Sequence, residues 1–315
     1  MLAEGVRDAS GLEVAVRSSS VRLHRVRSAP ASVRPTPRKR GVRRAAGASA
    51  SATCAGGLPL GRPDRIGAVT FEVWGAGPTV LLVHGAITNG PAAWSKQRPL
   101  AERWQMIVVN RPGFVPNQPE DRCDFESDAA GIAGLLDQPT HLVGHSYGGL
   151  IALLAASQRP ADVRSLTVVE PAVMSLLRGE PAVEEAIATH LTLVASHADD
   201  PEAFLAAFTA SLGGDATTVP SPLPDQLRQH VELLIHERYP WEAEIPAETL
   251  AAAPFPKLIV SGGHSPMQEA LCDALAGRLG PSAERVVIEG AGHIVQRTGP
   301  PFNDRLEQLF RSAGR

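Results

Sequence analysis

A serine among small residues, Gly144-His145-Ser146-Tyr147-Gly148-Gly149, follows one apolar stretch and opens another. A GxSxG run carries meaning when it joins a strand to a helix. There a sharp turn strains the serine backbone, lifts the hydroxyl above the sheet edge and sets it near the positive end of the helix. The small residues at 144 and 148 let strand and helix approach closely. A serine hydroxyl is a weak nucleophile until a base removes its proton. Histidine suits that task because its ordinary pKa lies near neutrality, and Gly290-Ala291-Gly292-His293 offers one late in the chain. Acyl transfer also needs two backbone N–H donors aimed at the developing oxyanion. Tyr147 would supply one, and Ala86, just after His84-Gly85, the other. His84 itself is expected to brace its loop. The competing reading of Ser146 is a serine that merely caps a helix.

These residues need a frame to hold them. Val69 to Trp74 alternates as a strand, residues 75–78 turn, and Thr79 to Val83 is a short apolar run of the buried-strand kind. Further strands are expected at Met106 to Val109, His141 to Val143, Leu166 to Val169, Lys257 to Val260 and Arg285 to Ile288. Helices are expected at about 92–103, 127–136, 147–157, 268–279 and 301–311, and the Pro-containing residues 111–124 form a loop. Strands alternating with helices indicate an α/β fold: a mostly parallel sheet of about eight strands with helices on both faces. Residues 171–250 break the alternation with three helical patterns, at 182–197, 201–212 and 223–238. They would form a helical cap inserted after the strand ending at Val169. The expected organisation is a basic, disordered tail (1–62), core (63–171), cap (172–254) and core again (255–315).

Charge separates the tail from the body. The net charge of −3 hides a balance of +9 over residues 1–65 and −12 over the remainder. An acidic body argues against nucleic-acid binding. Only Lys39, Lys96 and Lys257 are lysine among 30 basic residues. Order is expected to begin near Ile66. The Arg-Lys-Arg run at 38–40 and Arg43-Arg44 also allow a transit-peptide-like targeting segment, whereas Ala45 to Ala55 is too polar for a twin-Arg export signal. Cys54, Cys123 and Cys272 are odd in number and make no CxxC pair, so a reducing, cytoplasmic setting without disulfides is expected. No apolar run reaches membrane-spanning length.

From about residue 66 to 311 the chain resembles the α/β-hydrolase superfamily. The motifs carrying the resemblance are His84-Gly85, Gly-His-Ser146-Tyr-Gly-Gly, Gly-Ala-Gly-His293 and the loop Asn110-Arg111-Pro112-Gly113-Phe114. The chain order of serine, then late histidine, fits that superfamily. The resemblance implies Ser146 as nucleophile and His293 as base. It also implies a carboxylate that orients the histidine, usually an Asp after the strand at 257–260. Here that loop reads Ser261-Gly262-Gly263-His264-Ser265-Pro266, and neither Ser265 nor His264 supplies one. Some members place the acid one strand earlier, which points to Glu170. Glu269 or Asp273 on the following helix, or no acid at all, are the alternatives.

The expected function is therefore a serine hydrolase acting on a small ester or related acyl substrate through an acyl-serine intermediate. Thioesterase, carbon–carbon hydrolase and acyltransferase chemistry stay open. A serine nucleophile argues against haloalkane dehalogenase or epoxide hydrolase chemistry, where the family uses Asp. The alternative is a hydrolase-fold small-molecule binder or pseudoenzyme with little turnover. No cofactor is implied, since neither GxGxxG nor a P-loop occurs. His190, His197, His230 and His236 make no metal-ligand pattern and read as packing or solvated residues of the cap. Trp94, Trp104 and Trp241 read as packing. The expected partner is a small-molecule substrate, with neither nucleic acid nor a membrane span, and a homodimer is allowed.

Overall fold

A computed structural model describes residues 64–66 and 69–314. The readings made for residues 1–62 lie outside the described residues. The strands are β1 (Asp64–Ile66), β2 (Val69–Trp74), β3 (Thr79–Val83), β4 (Gln105–Asn110), β5 (Thr140–His145), β6 (Val163–Val169), β7 (Lys257–Ser261) and β8 (Ala283–Val287), the central ones built on short apolar runs. They make one sheet in the order β1-β2-β4-β3-β5-β6-β7-β8. The β1–β2 and β2–β4 pairs are antiparallel, and every pair from β4 to β8 is parallel.

Period-two alternation sends successive side chains to opposite faces. Leu81 and Val83 of β3, Leu142 of β5, Leu166 and Val168 of β6 and Ile259 of β7 join one apolar cluster. Val80, Leu82, Val143, Val169, Leu258 and Val260 join the other. Both faces are buried, which is why these strands read as continuous apolar runs rather than as alternating ones. The helices α2 (Phe125–Ala133), α3 (Tyr147–Gln158) and α8 (Pro266–Leu279) cover the first face. The second is covered by α9 (Pro300–Ala313) and the segment around Trp94 and Trp104. Each fully buried Leu or Ile in these clusters contributes roughly 1.5–3 kcal/mol.

The segment expected as a helix at 92–103 is instead a four-residue helix, α1 (Gly90–Ala93), followed by a 3-10 stretch, Ser95–Glu102. Pro99 lies inside it. A proline there has no N–H to donate and clashes with the carbonyl four residues back, so tighter turns replace the α-helix. Helix α2 starts two residues before the expected position. Asp124 caps it, accepting from the N–H groups of Glu126 and Ser127 at 2.9 and 3.1 Å.

Between β6 and β7 lie α4 (Pro181–His197), α5 (Pro201–Ser211), α6 (Asp225–His236) and α7 (Ala247–Ala252). Helix α7 and strand β1 have no counterpart among the expected elements, because six- and three-residue segments are too short to show a period. Phe204, Leu205, Leu223, Val231, Leu234 and Ile235 of this insert form a separate apolar cluster, against which Ala86 and Ile87 pack.

Candidate active site

Ser146 sits between β5 and α3 with φ 54° and ψ −122°. Its N–H donates to Val169 O at 2.9 Å, and its carbonyl accepts from Ala172 N at 3.1 Å. The turn is thus pinned to the end of β6. A Cβ on Gly144 would collide with Gly148 O, and one on Gly148 with His84 O. Only glycine lets α3 start this close to β3 and β5.

His293 lies on the loop after β8. Its Nε2 is 3.2 Å from Ser146 Oγ, and its Nδ1 is 3.3 Å from Glu170 Oε2. With Nδ1–H donated to the carboxylate, Nε2 is left as the acceptor that a serine hydroxyl requires. Glu170 follows β6 directly, with φ 46°. Its N–H donates to Val260 O at 2.8 Å, and its Oε1 accepts the Gly262 N–H at 2.7 Å. Its side chain is fully buried.

The other acids considered from sequence are held elsewhere. Glu269 accepts from Ser261 Oγ and Gly263 N and pairs with Arg285. Asp273 pairs with Arg285 at 2.9 Å. Ser265 caps α8, accepting from Gln268 N. His264 stands beside Glu170, with Nδ1 3.6 Å from Oε1. Glu170, His264 and His293 together present ligand atoms that could hold a metal ion.

The loop after β3 borders the serine. A Cβ on Gly85 would lie 3.0 Å from Ser146 Cβ, so the backbone leading into Ala86 passes directly against the hydroxyl-bearing residue. Tyr147, which follows the serine, is buried, and its hydroxyl donates to Arg238 O at 2.9 Å. His84 braces this loop: its Nε2 accepts the Arg111 N–H at 3.0 Å, and its Nδ1 donates to Gly85 O at 2.8 Å. Burial, with the Arg111 charge adding to it, holds His84 well below the usual histidine range. Among the described residues, the non-glycine residues with positive φ are Ile87, Ser146 and Glu170. All three lie on loops leaving β3, β5 and β6 at their C-terminal ends. Such backbone strain costs of order 1–3 kcal/mol each and clusters where function demands a fixed geometry.

Three further residues support the arrangement and were not singled out for this from sequence. His145 Nε2 donates to His293 O at 3.0 Å. Burial, reinforced by the nearby His293, pushes His145 down to about 3, so it stays neutral and anchors the His293 loop. Buried Arg111 pairs with Asp128 at 2.9 Å and donates to Gly85 O at 3.1 Å. Its guanidinium also lies 4.6 Å from the Tyr147 ring centroid, so it touches both loops that carry the candidate oxyanion donors. His230, on α6, donates from Nδ1 to Ile87 O at 2.8 Å and accepts Val115 N–H at Nε2, 3.2 Å. Only the position of His145 inside the serine motif was a local signal. Arg111 and His230 act on residues distant in the chain. His190 packs among Phe204, Phe208, Tyr239 and Trp241, in keeping with the packing role expected of it.

Comparison with known proteins bears on the family and the fold. The family model described as alpha/beta hydrolase family matches residues 80–305. The chain is 30% identical over 191 residues to a pimeloyl-[acyl-carrier protein] methyl ester esterase of Aeromonas hydrophila, covering 58% of this chain and 68% of that protein. It is 27% identical over 256 residues to a 2-(acetamidomethylene)succinate hydrolase of Mesorhizobium japonicum, covering 76% and 91%. A solved thermophilic esterase from Thermogutta terrifontis superposes with a TM-score of 0.58 at 22% identity, covering 78% of this chain and 93% of that one. At that identity the structural likeness speaks to the fold.

Proposed function

Since this chain belongs to the alpha/beta hydrolase family, we propose that it is a serine hydrolase that cleaves a small ester through an acyl-serine intermediate. The observation that carries this reading is the unbroken line from Glu170 through His293 to Ser146, with contacts of 3.3 and 3.2 Å. Glu170 holds the ring with Nδ1–H directed at the carboxylate and stabilises the imidazolium that forms. His293 Nε2 takes the serine proton as Oγ attacks the ester carbonyl. The oxyanion rests on the N–H groups of Ala86 and Tyr147. His293 then protonates the leaving alcohol, and water activated by the same nitrogen releases the acid.

The insert between β6 and β7 acts as a cap. Its apolar cluster packs on Ala86 and Ile87, so the part of the substrate next to the carbonyl meets an apolar surface. The named activity of the Aeromonas relative, a methyl ester esterase, supports an ester substrate, and that of the Mesorhizobium relative supports hydrolysis.

The decisive experiment joins a fluorophosphonate probe to an ester assay. Wild type should take up the probe and turn over a short-chain p-nitrophenyl ester, and Ser146→Ala should do neither. Labelling of Ser146→Ala at the wild-type level would remove Ser146 from its role. A labelled wild type without turnover of any ester would favour a binder or pseudoenzyme.

A further inference from the structure

Glu170 has a histidine on each of its oxygens. Oε2 faces His293 Nδ1 at 3.3 Å, and Oε1 faces His264 Nδ1 at 3.6 Å. That second nitrogen is buried and has no hydrogen-bond partner. A buried polar atom left unpaired beside a carboxylate calls for an account. Ligand atoms of Glu170, His264 and His293 all lie within 4.8 Å of one another. Tetrahedral zinc with N and O ligands at about 2.0–2.2 Å sets them roughly 3.3–3.6 Å apart. The two imidazoles approach different oxygens of the carboxylate, and with one ligand atom from each residue all three lie within 4.8 Å, so an ion would draw both rings in towards one carboxylate. His264 is on the loop after β7 and His293 on the loop after β8. The two loops touch, since a Cβ on Gly262 would collide with Gly292. The imidazoles are 18% and 19% exposed, while His264 Nδ1 and the Glu170 carboxylate are buried, so an ion enters as one of the rings turns.

We propose that Glu170, His264 and His293 form an inhibitory site for a divalent transition metal of the zinc type. One carboxylate and two imidazoles make a set that zinc binds with its fourth position open. Imidazole donors disfavour calcium and magnesium, which take oxygen ligands. The inhibition rests on the proposed role of Ser146 and His293. A metal on His293 Nδ1 takes that lone pair and leaves the ring proton on Nε2. The ring can then no longer accept the proton of Ser146 Oγ, and Glu170 is spent on the ion. His264 is a ligand in this scheme and takes no part in the ester chemistry. Neither histidine is near the other or near Glu170 in sequence, so no spacing motif announces the site.

The test uses the full chain and two readouts. Zn²⁺ binding is measured by calorimetry, and Co²⁺ binding by the visible absorption of its tetrahedral form, for wild type, His264→Gln and Glu170→Gln. Both variants should bind at least about tenfold more weakly than wild type, with the tetrahedral Co²⁺ spectrum lost. In parallel, ester hydrolysis is followed across chelator-buffered Zn²⁺, each protein normalised to its own metal-free rate. Wild type should be inhibited and restored by EDTA, while His264→Gln should escape inhibition at concentrations that silence wild type. Equal Zn²⁺ affinity in wild type and His264→Gln would overturn the site. Undiminished turnover by zinc-saturated wild type would overturn the inhibition. A protein without ester turnover at all would count against the proposed function, while the site would still be decided by the binding readouts.

Discussion

Glu170 Oε2 stands 3.3 Å from His293 Nδ1 across 123 residues of chain. The contact exists because β6, β7 and β8 are successive neighbours in the sheet, which brings the loop after β8 near the end of β6, and because Glu170 leaves β6 in a left-handed turn, φ 46°, with its N–H tied to Val260 O. If this carboxylate orients the base, Glu170→Gln should lower kcat by about 10³–10⁴-fold on an aryl ester. The amide can present an NH₂ to the ring and favour the wrong tautomer. Glu170→Asp keeps the charge but is one methylene shorter, so it should fall between the two. Steady-state kinetics on the three proteins checks this. Full activity in Glu170→Gln would remove Glu170 from the mechanism and leave Ser146 and His293 in place.

Much of this frame is legible in the residues themselves. The runs Thr79–Val83 and Lys257–Val260 announce buried strands because both their faces are covered. The Gly144–Gly148 turn announces itself through glycines that admit no Cβ. Glu170 was legible only through the resemblance, which allows the acid one strand earlier; Ser265 carries no carboxylate, and Glu269, Asp273 or no acid stayed open beside it. Pro99 was a visible warning against a regular helix at 92–103. What local sequence cannot carry is pairing across the fold. The bond from His230 to Ile87 spans 143 residues, and the anchoring of His293 by His145 spans 148. Neither leaves a spacing to read, because each partner is a backbone carbonyl that any residue possesses.

His230 clasps α6 to the loop that carries Ala86 and Ile87. Both of its ring nitrogens are used, one donating to Ile87 O and one accepting from Val115 N, and its ring lies 4.8 Å from that of Phe114. Replacing it with alanine removes two hydrogen bonds to half-buried backbone groups, a loss of about 1–3 kcal/mol for the pair. His230→Ala should therefore melt at lower urea and also lose kcat, since strained Ile87 is released beside Ala86. The clasp needs the neutral ring. Burial lowers the pKa of His230 below its ordinary value, partly offset by the bond to Ile87 O. Its contribution is thus complete above the unfolded pKa near 6.5 and is lost as pH falls through the folded value. Urea melts at pH 7.5 and 5.5 should show the gap between wild type and His230→Ala narrowing at the lower pH. A gap that stays constant, or a variant as stable and active as wild type, would refute the clasp.

Glu237 ends helix α6 and is buried, 8% exposed. Burial pushes its carboxyl up to about 8, with Arg111 offsetting part of this and Asp128 adding to it. A carboxyl whose folded pKa exceeds its unfolded value near 4.5 binds more protons folded than unfolded between those two values. Its favourable contribution is therefore present at low pH and is lost as pH rises towards 8, beyond which the change is complete. Glutamine has nearly the shape of the protonated acid and does not titrate. Relative to wild type, Glu237→Gln should gain about 3–5 kcal/mol of stability between pH 5 and pH 9. Near pH 5 the two proteins should be close, because Glu237 is then neutral in the folded state and only partly ionised in the unfolded chain. Denaturation in urea at pH 5, 7 and 9 reads this directly. A wild-type-to-variant difference that does not change with pH would mean that Glu237 is ionised in the fold throughout, held by Arg111 rather than penalised by burial.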